Sequence, residues 1–302
     1  MELGMIGLGR MGANMTERLL SGGHRVVAHD RNVEAIKRLV DKGVVRADSL
    51  EALAATLSLP RAIWLMVPSG DPVDQTIQAL TPHLTPDDVV VDGGNSNYKD
   101  TLRRAAVLKG SGIHFVDVGT SGGIWGLTEG YSLMVGGNPE AVARLRPIFQ
   151  TLAPALDKGW GHVGPSGAGH FVKMIHNGIE YGLMEAYAEG FALLKRKSDF
   201  KLDLHHIAEI WRCGSVVRSW LLDLIAGALS ENPDLRGIKP YVEDSGEGRW
   251  TVAEAIDLDV STPVITLSLL RRLRSREEEP FADRLLAMMR YQFGGHRVKK
   301  EE

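Results

Sequence analysis

The sequence predicts a doubly wound, mostly parallel α/β sheet followed by an all-helical C-terminal domain. Short apolar runs alternate with helical periodicity over roughly the first half of the chain, which is typical of parallel strands joined by crossover helices. Beyond about residue 165 the strand signals fade and helical periodicity continues to the end. A length of 302 residues fits two domains at roughly 100–200 residues each. The predicted domains are residues 1–164 and 165–302.

Each predicted strand is a short apolar run, as expected of a strand that is buried on both faces. In sheets of this kind, ligands bind at the carboxyl ends of the strands, so the polar and glycine-rich segments that follow them should line one crevice. Two helices are predicted over residues 10–20 and 33–42. The predicted strands are residues 3–7, 25–29, 62–67, 89–91 and 113–118.

Composition excludes several classes of protein. A formal net charge of −3 argues against a nucleic-acid or membrane-surface binder, which needs a basic field. The single cysteine, Cys213, excludes an intramolecular disulfide, and we expect it to be buried as a small apolar side chain. No apolar stretch approaches ~18 residues, and the first residues lack the basic start of a signal peptide. These features predict a cytoplasmic protein whose partner is a small molecule.

A glycine motif after the first strand indicates dinucleotide binding. Gly7, Gly9 and Gly12 form Gly-x-Gly-x-x-Gly, and Asp30 follows Gly9 by 21 residues. Gly7 allows the tight turn, Gly9 lets the backbone approach a pyrophosphate, and Gly12 allows close packing of helix on strand. The N–H groups at the start of the helix then face the phosphates. The pattern predicts a Rossmann-type NAD-binding domain.

The residues at the end of the second strand bear on the choice of cofactor. Asp30 favours NAD, because a carboxylate accepts hydrogen bonds from the ribose hydroxyls and repels a 2′-phosphate. Arg31 acts in the opposite direction, since guanidinium pairs well with phosphate. We therefore predict NAD as the cofactor, with NADP as a weaker alternative.

A polar stripe interrupts an otherwise small and apolar helical segment. Lys173, His176, Asn177, Glu180 and Tyr181 lie at i, i+3, i+4, i+7 and i+8, which places them on one helix face. A solvent-facing stripe is the alternative. The nearby glycines weaken it, because each costs a helix interior ~1 kcal/mol and suggests a close approach to the helix. A desolvated lysine with a lowered pKa can act as a base, and a carboxyl in the same pocket can act as an acid.

Several motifs together resemble the 6-phosphogluconate dehydrogenase (decarboxylating) family, in its short bacterial form, from Gly7 to His296. The resemblance implies oxidative decarboxylation of 6-phospho-D-gluconate to D-ribulose 5-phosphate and CO₂ with reduction of NAD, in the pentose phosphate pathway. The motifs that carry it are Asp92-Gly93-Gly94-Asn95-Ser96, Ser121-Gly122-Gly123, the segment 169–181 and Gly246-x-Gly248-Arg249-Trp250-Thr251.

The same resemblance implies a role for each matching residue. Lys173 would be the general base towards the C3 hydroxyl and later the acid at the C3 carbonyl, and Glu180 would protonate C1 of the enediol that remains after CO₂ has left. The carboxylate and hydroxyls would be held by Asn95, Ser121, Gly122, Gly123, His176 and Asn177. The phosphate would be held by Tyr181, Arg249, Thr251 and Arg272, together with Arg290 and His296 from a neighbouring subunit. Met11, Arg31, Val67 and Asn95 match cofactor-contact positions.

The resemblance also implies a homodimer or homotetramer, because the C-terminal tail of one subunit would complete the neighbour's site. No metal is expected, since the histidines are scattered and an ammonium group can polarise a carbonyl. One alternative is another β-hydroxyacid dehydrogenase of the 3-hydroxyisobutyrate type, which would not need the arginines that fit a phosphate. A second alternative, a non-catalytic NAD-binding redox sensor, leaves the Lys173–Glu180 pair unexplained.

Overall fold

The computed structural model describes residues 1–295 and 297–299, and within them the chain forms eight strands and fourteen α-helices. The strands are β1 (Glu2–Ile6), β2 (Arg25–His29), β3 (Val45–Arg46), β4 (Ala62–Leu65), β5 (Val89–Asp92), β6 (His114–Ser121), β7 (Ser132–Gly136) and β8 (Trp160–Gly164). The helices are α1 (Arg10–Ser21), α2 (Val33–Val40), α3 (Leu50–Thr56), α4 (Asp71–Leu80), α5 (Tyr98–Lys109), α6 (Gly126–Glu129), α7 (Pro139–Arg144), α8 (Arg146–Leu152), α9 (Ala168–Arg196), α10 (Leu204–Arg212), α11 (Trp220–Glu231), α12 (Glu247–Asp257), α13 (Pro263–Arg274) and α14 (Phe281–Gly294).

All eight strands belong to one sheet, in the order β3-β2-β1-β4-β5-β6-β7-β8. Every neighbouring pair is parallel except β6 and β7. The order reverses direction between β1 and β4, which is the switch point where doubly wound sheets bind their ligands. The predicted fold class is confirmed.

Helices cover both faces of the sheet, and successive strand residues alternate between two apolar clusters. On β5, Val89 and Val91 pack into the cluster that contains Trp64 and Phe149, whereas Val90 packs into the opposite cluster. Burial on both faces explains why the central strands read as continuous apolar runs in the sequence.

The chain divides into two compact units, residues 1–177 and the part that begins at Gly178. The division falls within α9, which is one continuous helix. The predicted boundary after residue 164 falls where β8 ends, four residues before α9 begins. In the second unit α10 and α11 pack around a small core of Ala208, Leu222 and Ala226.

One expectation about the second unit is wrong. Cys213 is exposed rather than buried, because it follows the last residue of α10, where the chain leaves the helix. Among the helices that the structure describes, none is both long enough and apolar enough to cross a bilayer.

Candidate active site

The glycine loop between β1 and α1 has the shape that a dinucleotide requires. Gly7 has φ +95°, and a Cβ there would lie 2.5 Å from the carbonyl oxygen of Met66. A Cβ at Gly12 would collide with the Gly7 carbonyl oxygen, whereas one at Gly9 would meet no described atom within 4 Å. The first turn of α1 carries no acidic side chain. Its free N–H groups therefore suit the pyrophosphate of a dinucleotide.

Asp30 is fixed at the end of β2 by the backbone. Its Oδ2 accepts a hydrogen bond from the N–H of Leu8 at 2.5 Å, and its Oδ1 accepts one from the N–H of Asn32 at 2.7 Å. The neighbouring Arg31 is exposed. The structure thus places the carboxylate at the same edge of the sheet as the glycine loop, which is the position that ribose hydroxyls require. Two further predicted cofactor residues, Met11 and Val67, are half-buried at this edge.

A buried network of charges shapes the loop after β5. Asp92 accepts hydrogen bonds from the N–H of Gly94 at 3.0 Å and from the Ser96 hydroxyl at 2.7 Å, and Arg104 lies 3.5 Å away. Arg104 also donates two hydrogen bonds of 3.0 Å to Asp74. These bonds hold the pKa of Asp74 well below its ordinary value. Sequence analysis did not single out Arg104, whose partners lie far away in the chain.

Asn95 joins the loop after β5 to the end of β6. Its Oδ1 accepts a hydrogen bond from the N–H of Thr120 at 2.8 Å, and its Nδ2 donates one to the carbonyl of the same residue at 3.1 Å. One amide hydrogen and one lone pair of Asn95 remain for a ligand. The residue predicted to hold substrate therefore also connects two loops of the site.

The predicted catalytic residues of the first unit lie together on α9. Lys173 is only 5% exposed, and its Nζ donates to Oδ1 of Asn177 at 2.6 Å. Nδ1 of His176 lies 2.9 Å from the same oxygen and 3.4 Å from the lysine Nζ. Nε2 of His176 lies 3.4 Å from the hydroxyl of Ser121 at the end of β6. The structure therefore brings a lysine, a histidine, an amide and a hydroxyl to one place.

Asp117 on β6 holds the start of the helix that carries Lys173. Its Oδ1 accepts from the N–H of Gly167 at 2.7 Å and its Oδ2 from the N–H of His170 at 2.9 Å. A buried carboxylate is a strong acceptor for N–H groups that lack a partner within the helix. Asp117 is a positioning residue that sequence analysis missed, because its partners are about fifty residues away.

The helix α9 also lies unusually close to β6. A Cβ at Gly119 would lie 2.6 Å from the carbonyl oxygen of Gly169 and closer still to Cβ of Lys173. Because Gly119 has no side chain, Lys173 on α9 can pack directly against the backbone of β6.

In the second unit, Tyr181 is the centre of a polar cluster. Its hydroxyl lies 3.1 Å from the Ser245 hydroxyl and donates to Oε2 of Glu247 at 3.4 Å. Burial raises the pKa of the Tyr181 phenol, so it is protonated and able to donate at neutral pH. The guanidinium of Arg272 stacks 3.8 Å from the centre of its ring, and Nη1 of Arg272 donates to the carbonyl of Glu243 at 2.9 Å.

Arg249 is held beside this cluster by an acidic residue. Its Nε donates to Oδ2 of Asp244 at 2.5 Å, and Nη1 of Arg276 lies 3.4 Å from the same oxygen. Burial favours the protonated acid, but the hydrogen bonds from Arg249 and from the Gly246 N–H outweigh it and hold the pKa of Asp244 below its ordinary value. Asp244 and Arg276 are further residues that sequence analysis did not identify.

The remaining predicted residues differ in their surroundings. Thr251 is buried on α12, and its Cγ2 would lie 2.8 Å from a Cβ at Gly178. Glu180 is half-buried on α9, and Arg290 lies on α14, which is exposed along its whole length. Gly122 and Gly123 follow β6 with positive φ. His296 lies outside the described residues. Within residues 1–295 and 297–299, no group of three histidine, cysteine or acidic side chains is placed to hold a metal ion.

Comparison with protein families identifies both parts of the chain. A model described as the NAD binding domain of 6-phosphogluconate dehydrogenase matches residues 2–161, and one described as the C-terminal domain of that enzyme matches residues 169–292. The chain belongs to the 6-phosphogluconate dehydrogenase family. The first domain of this family member is therefore a Rossmann domain that binds a nicotinamide dinucleotide.

Two relatives differ in length from one another. A chain from Haloferax volcanii, described as "6-phosphogluconate dehydrogenase, NAD(+)-dependent, decarboxylating", is 46% identical over 303 residues and matches over the whole of both chains. An NADP(+)-dependent, decarboxylating 6-phosphogluconate dehydrogenase from Bacillus subtilis is 39% identical, but the match spans only 64% of that longer protein.

Solved structures give the same family. A 6-phosphogluconate dehydrogenase from Plasmodium falciparum, solved also with NADP⁺ and with 6-phosphogluconate, superposes with a TM-score of 0.84 at 27% identity. The match covers 100% of this chain and 66% of that one. A 3-hydroxyisobutyrate dehydrogenase from Mycobacterium tuberculosis has a TM-score of 0.71 at 21% identity, with 88% and 90% of the two chains covered. That second likeness shows a shared fold.

Proposed function

We propose that this protein oxidises and decarboxylates 6-phospho-D-gluconate to D-ribulose 5-phosphate and CO₂, with NAD as the acceptor, as a step of the pentose phosphate pathway. The observation that carries the proposal is the buried Lys173, which is hydrogen-bonded to Asn177 and lies next to His176, itself in contact with Ser121. Burial of an ammonium group favours its neutral form, which is the form that accepts a proton. Membership of the family supports the assignment.

Lys173 is proposed to move the proton of the substrate's C3 hydroxyl. The bound dinucleotide supplies the hydride acceptor. As the hydride leaves C3, the neutral amine takes the hydroxyl proton and becomes an ammonium group. That ammonium then donates a hydrogen bond to the new C3 carbonyl, which stabilises the negative charge that develops there as the C1 carboxylate leaves as CO₂. Asn177 and His176 hold the amine in place for both steps.

Glu180 is proposed to complete the reaction. As CO₂ leaves, the ammonium of Lys173 gives its proton to the C3 oxygen, which leaves a neutral enediol. A carboxylic acid in reach of the carbon that carried the C1 carboxylate then gives that carbon a proton, while the neutral Lys173 takes back the proton of the enol hydroxyl, to give the ketose. Glu180 follows Lys173 by seven residues on the continuous helix α9, and two turns of helix keep such residues on one face. Its half-buried position supports the acid role.

The substrate's phosphate is assigned to the cluster of Tyr181, Arg249 and Arg272. Two guanidinium groups and a protonated phenol match the acceptor oxygens of a phosphate, and guanidinium offers a bidentate hydrogen bond. This cluster is the observation that favours a phosphorylated sugar acid over 3-hydroxyisobutyrate, which has no phosphate.

NAD is proposed as the preferred cofactor, with weaker use of NADP. The support is the Asp30 carboxylate, which two backbone N–H groups orient at the end of β2, where it would meet the adenosine ribose. A 2′-phosphate at that place would face a negative charge. The NAD⁺-dependent relative that matches over its whole length is consistent with this assignment.

A homodimer or homotetramer is proposed, in which Arg290 and His296 of one subunit complete the phosphate site of another. The exposed helix α14 supports this, because it presents Phe281, Leu286 and Phe293 to solvent. Exposed apolar side chains on one element mark a surface that another chain covers. The cytoplasm is the proposed location, since an exposed thiol at Cys213 suits a reducing compartment.

A substrate panel tests the proposal. The purified protein is incubated with 6-phosphogluconate, gluconate or 3-hydroxyisobutyrate, each with NAD or NADP, while reduced cofactor and CO₂ are followed. We expect turnover with CO₂ release for 6-phosphogluconate and NAD. Replacing Lys173 with Met should lower kcat by about 10²–10⁴-fold while NAD binding is retained. Higher kcat/KM with 3-hydroxyisobutyrate, or near-normal turnover by K173M, would contradict it.

A further inference from the structure

Three arginines in the second unit are held by one short segment, residues 241–244. Arg272 donates to the carbonyl of Glu243 at 2.9 Å. Arg276 lies 5.8 Å from the ring centre of Tyr241 and 3.4 Å from Oδ2 of Asp244. Arg249 donates to that same oxygen. Contacts with one short segment therefore hold three guanidinium groups, two of them at the same carboxylate oxygen, although like charges repel one another.

At Asp244 a nearly buried carboxylate holds two arginines whose side chains are partly exposed. The carboxylate is nearly buried, with its side chain 5% exposed, whereas the side chains of Arg249 and Arg276 are 52% and 36% exposed. Arg249 contacts Asp244 through Nε, and Arg276 contacts it through Nη1. The planar guanidinium group of an arginine can donate two parallel hydrogen bonds to two phosphate oxygens at once.

We propose that Arg276 is a further phosphate-binding residue and that Asp244 is the positioning residue that holds Arg249 and Arg276 as a pair. The inference deepens the proposed function and rests on it. A phosphate monoester is close to a dianion at neutral pH. Two guanidinium groups fixed at one carboxylate oxygen would meet such a dianion on their exposed side, while the single charge of Asp244 offsets their repulsion when the site is empty.

Matched substitutions test this assignment in the full-length protein. We expect R276Q to raise KM for 6-phosphogluconate about tenfold, as for the loss of one charge-assisted hydrogen bond at a half-exposed position, with kcat changed less than about twofold. The control is R274Q, because Arg274 pairs with Asp283 and Glu277 instead, and its KM should be unchanged. The inhibition constant of gluconate, which lacks the phosphate, should be the same in all variants.

The role of Asp244 is tested separately. D244N is nearly isosteric and keeps an acceptor for the Gly246 N–H, so we expect it to fold and to raise KM about fivefold without a matching loss of kcat. D244E, which keeps the charge, should recover part of that loss. A purely structural role would lower kcat and the melting temperature instead.

Binding of inorganic phosphate, measured by calorimetry, separates this inference from the proposed function. If the wild-type protein does not turn over 6-phosphogluconate, the proposed function fails. The arginine pair is still tested, because R276Q should bind inorganic phosphate about tenfold more weakly than the wild type. An unchanged phosphate affinity, an unchanged KM in R276Q, or an equal effect of R276Q on gluconate would overturn the inference.

Discussion

Replacing Gly119 with Ala should displace Lys173, the proposed catalytic base, without changing the lysine itself. The new Cβ would lie 2.6 Å from the Gly169 carbonyl oxygen and closer still to Cβ of Lys173. Heavy atoms normally approach to about 3.5–4.0 Å, so α9 must move away from β6 by about 1 Å. Neither the Gly169 carbonyl oxygen nor Cβ of Lys173 lies at the end of a flexible side chain, so the backbone of α9 must move.

Two consequences of that shift have different magnitudes. Overpacking of this kind costs about 1–3 kcal/mol in the free energy of unfolding. A displacement of about 1 Å at a catalytic group costs roughly 10²-fold in rate. We therefore expect G119A to remain folded at room temperature but to lose about a hundredfold in kcat, with a much smaller change in the affinity for NAD.

The assay compares G119A with G190A, which makes the same change elsewhere on α9. A Cβ at Gly190 would meet no described atom within 4 Å, so G190A should keep its kcat and gain up to about 1 kcal/mol of stability from the better helix former. Steady-state kinetics and chemical denaturation give both quantities. A G119A variant with wild-type kcat would refute the claim that this contact sets the position of Lys173.

Two further predictions concern the first unit. Replacing Asp30 with Ser should raise the ratio of kcat/KM for NADP to that for NAD by about tenfold or more, because the charge that faces a 2′-phosphate is removed; an unchanged ratio would disprove the role of Asp30. Tyr131 is fully buried, and burial raises the pKa of its phenol to about 12 from 10.0. The unfolded chain therefore loses its phenolic proton at lower pH than the folded one, so the free energy of unfolding should fall between about pH 10 and pH 12. Denaturation curves at those pH values should show a smaller fall for Y131F, and equal falls would contradict the assignment.

Local patterns were enough to predict the sheet's central strands and the glycine loop. The apolar runs at β4 and β5 are visible because each residue is buried whichever way it points. The polar stripe on α9 was visible because helical spacing alone places Lys173 near Asn177. The strand β8 was missed because glycine occupies two of its five positions and His162 and Val163 are exposed, so it shows no continuous apolar run. The strand β7 was missed although it contains Leu133, Met134 and Val135 in a row.

Residues that act through distant partners could not be found in this way. Asp117 reads as one acidic residue in an apolar strand until α9 is placed above it. Arg104 resembles a surface cation in the sequence, although its side chain is only 1% exposed and pairs with Asp74 and Asp92. Asp244 lies next to a recognisable motif, but nothing in the sequence shows that Arg276 joins it. Pairings of this kind depend on the tertiary fold, which local periodicity does not encode.

The side chain of Asn95 extends the hydrogen bonding between β5 and β6 beyond the last backbone pair, because it bonds to the backbone of Thr120. The backbone pairing of β5 with β6 ends at Asp92 and Asp117, and three residues further on the Asn95 amide repeats the same donor and acceptor pattern. An aspartate there would leave the Thr120 carbonyl without its donor, and a glutamine would extend too far. Lower activity in an Asn95 variant would therefore have two sources: the loss of the proposed ligand contact, and the loss of the hydrogen bonds that join the ends of β5 and β6.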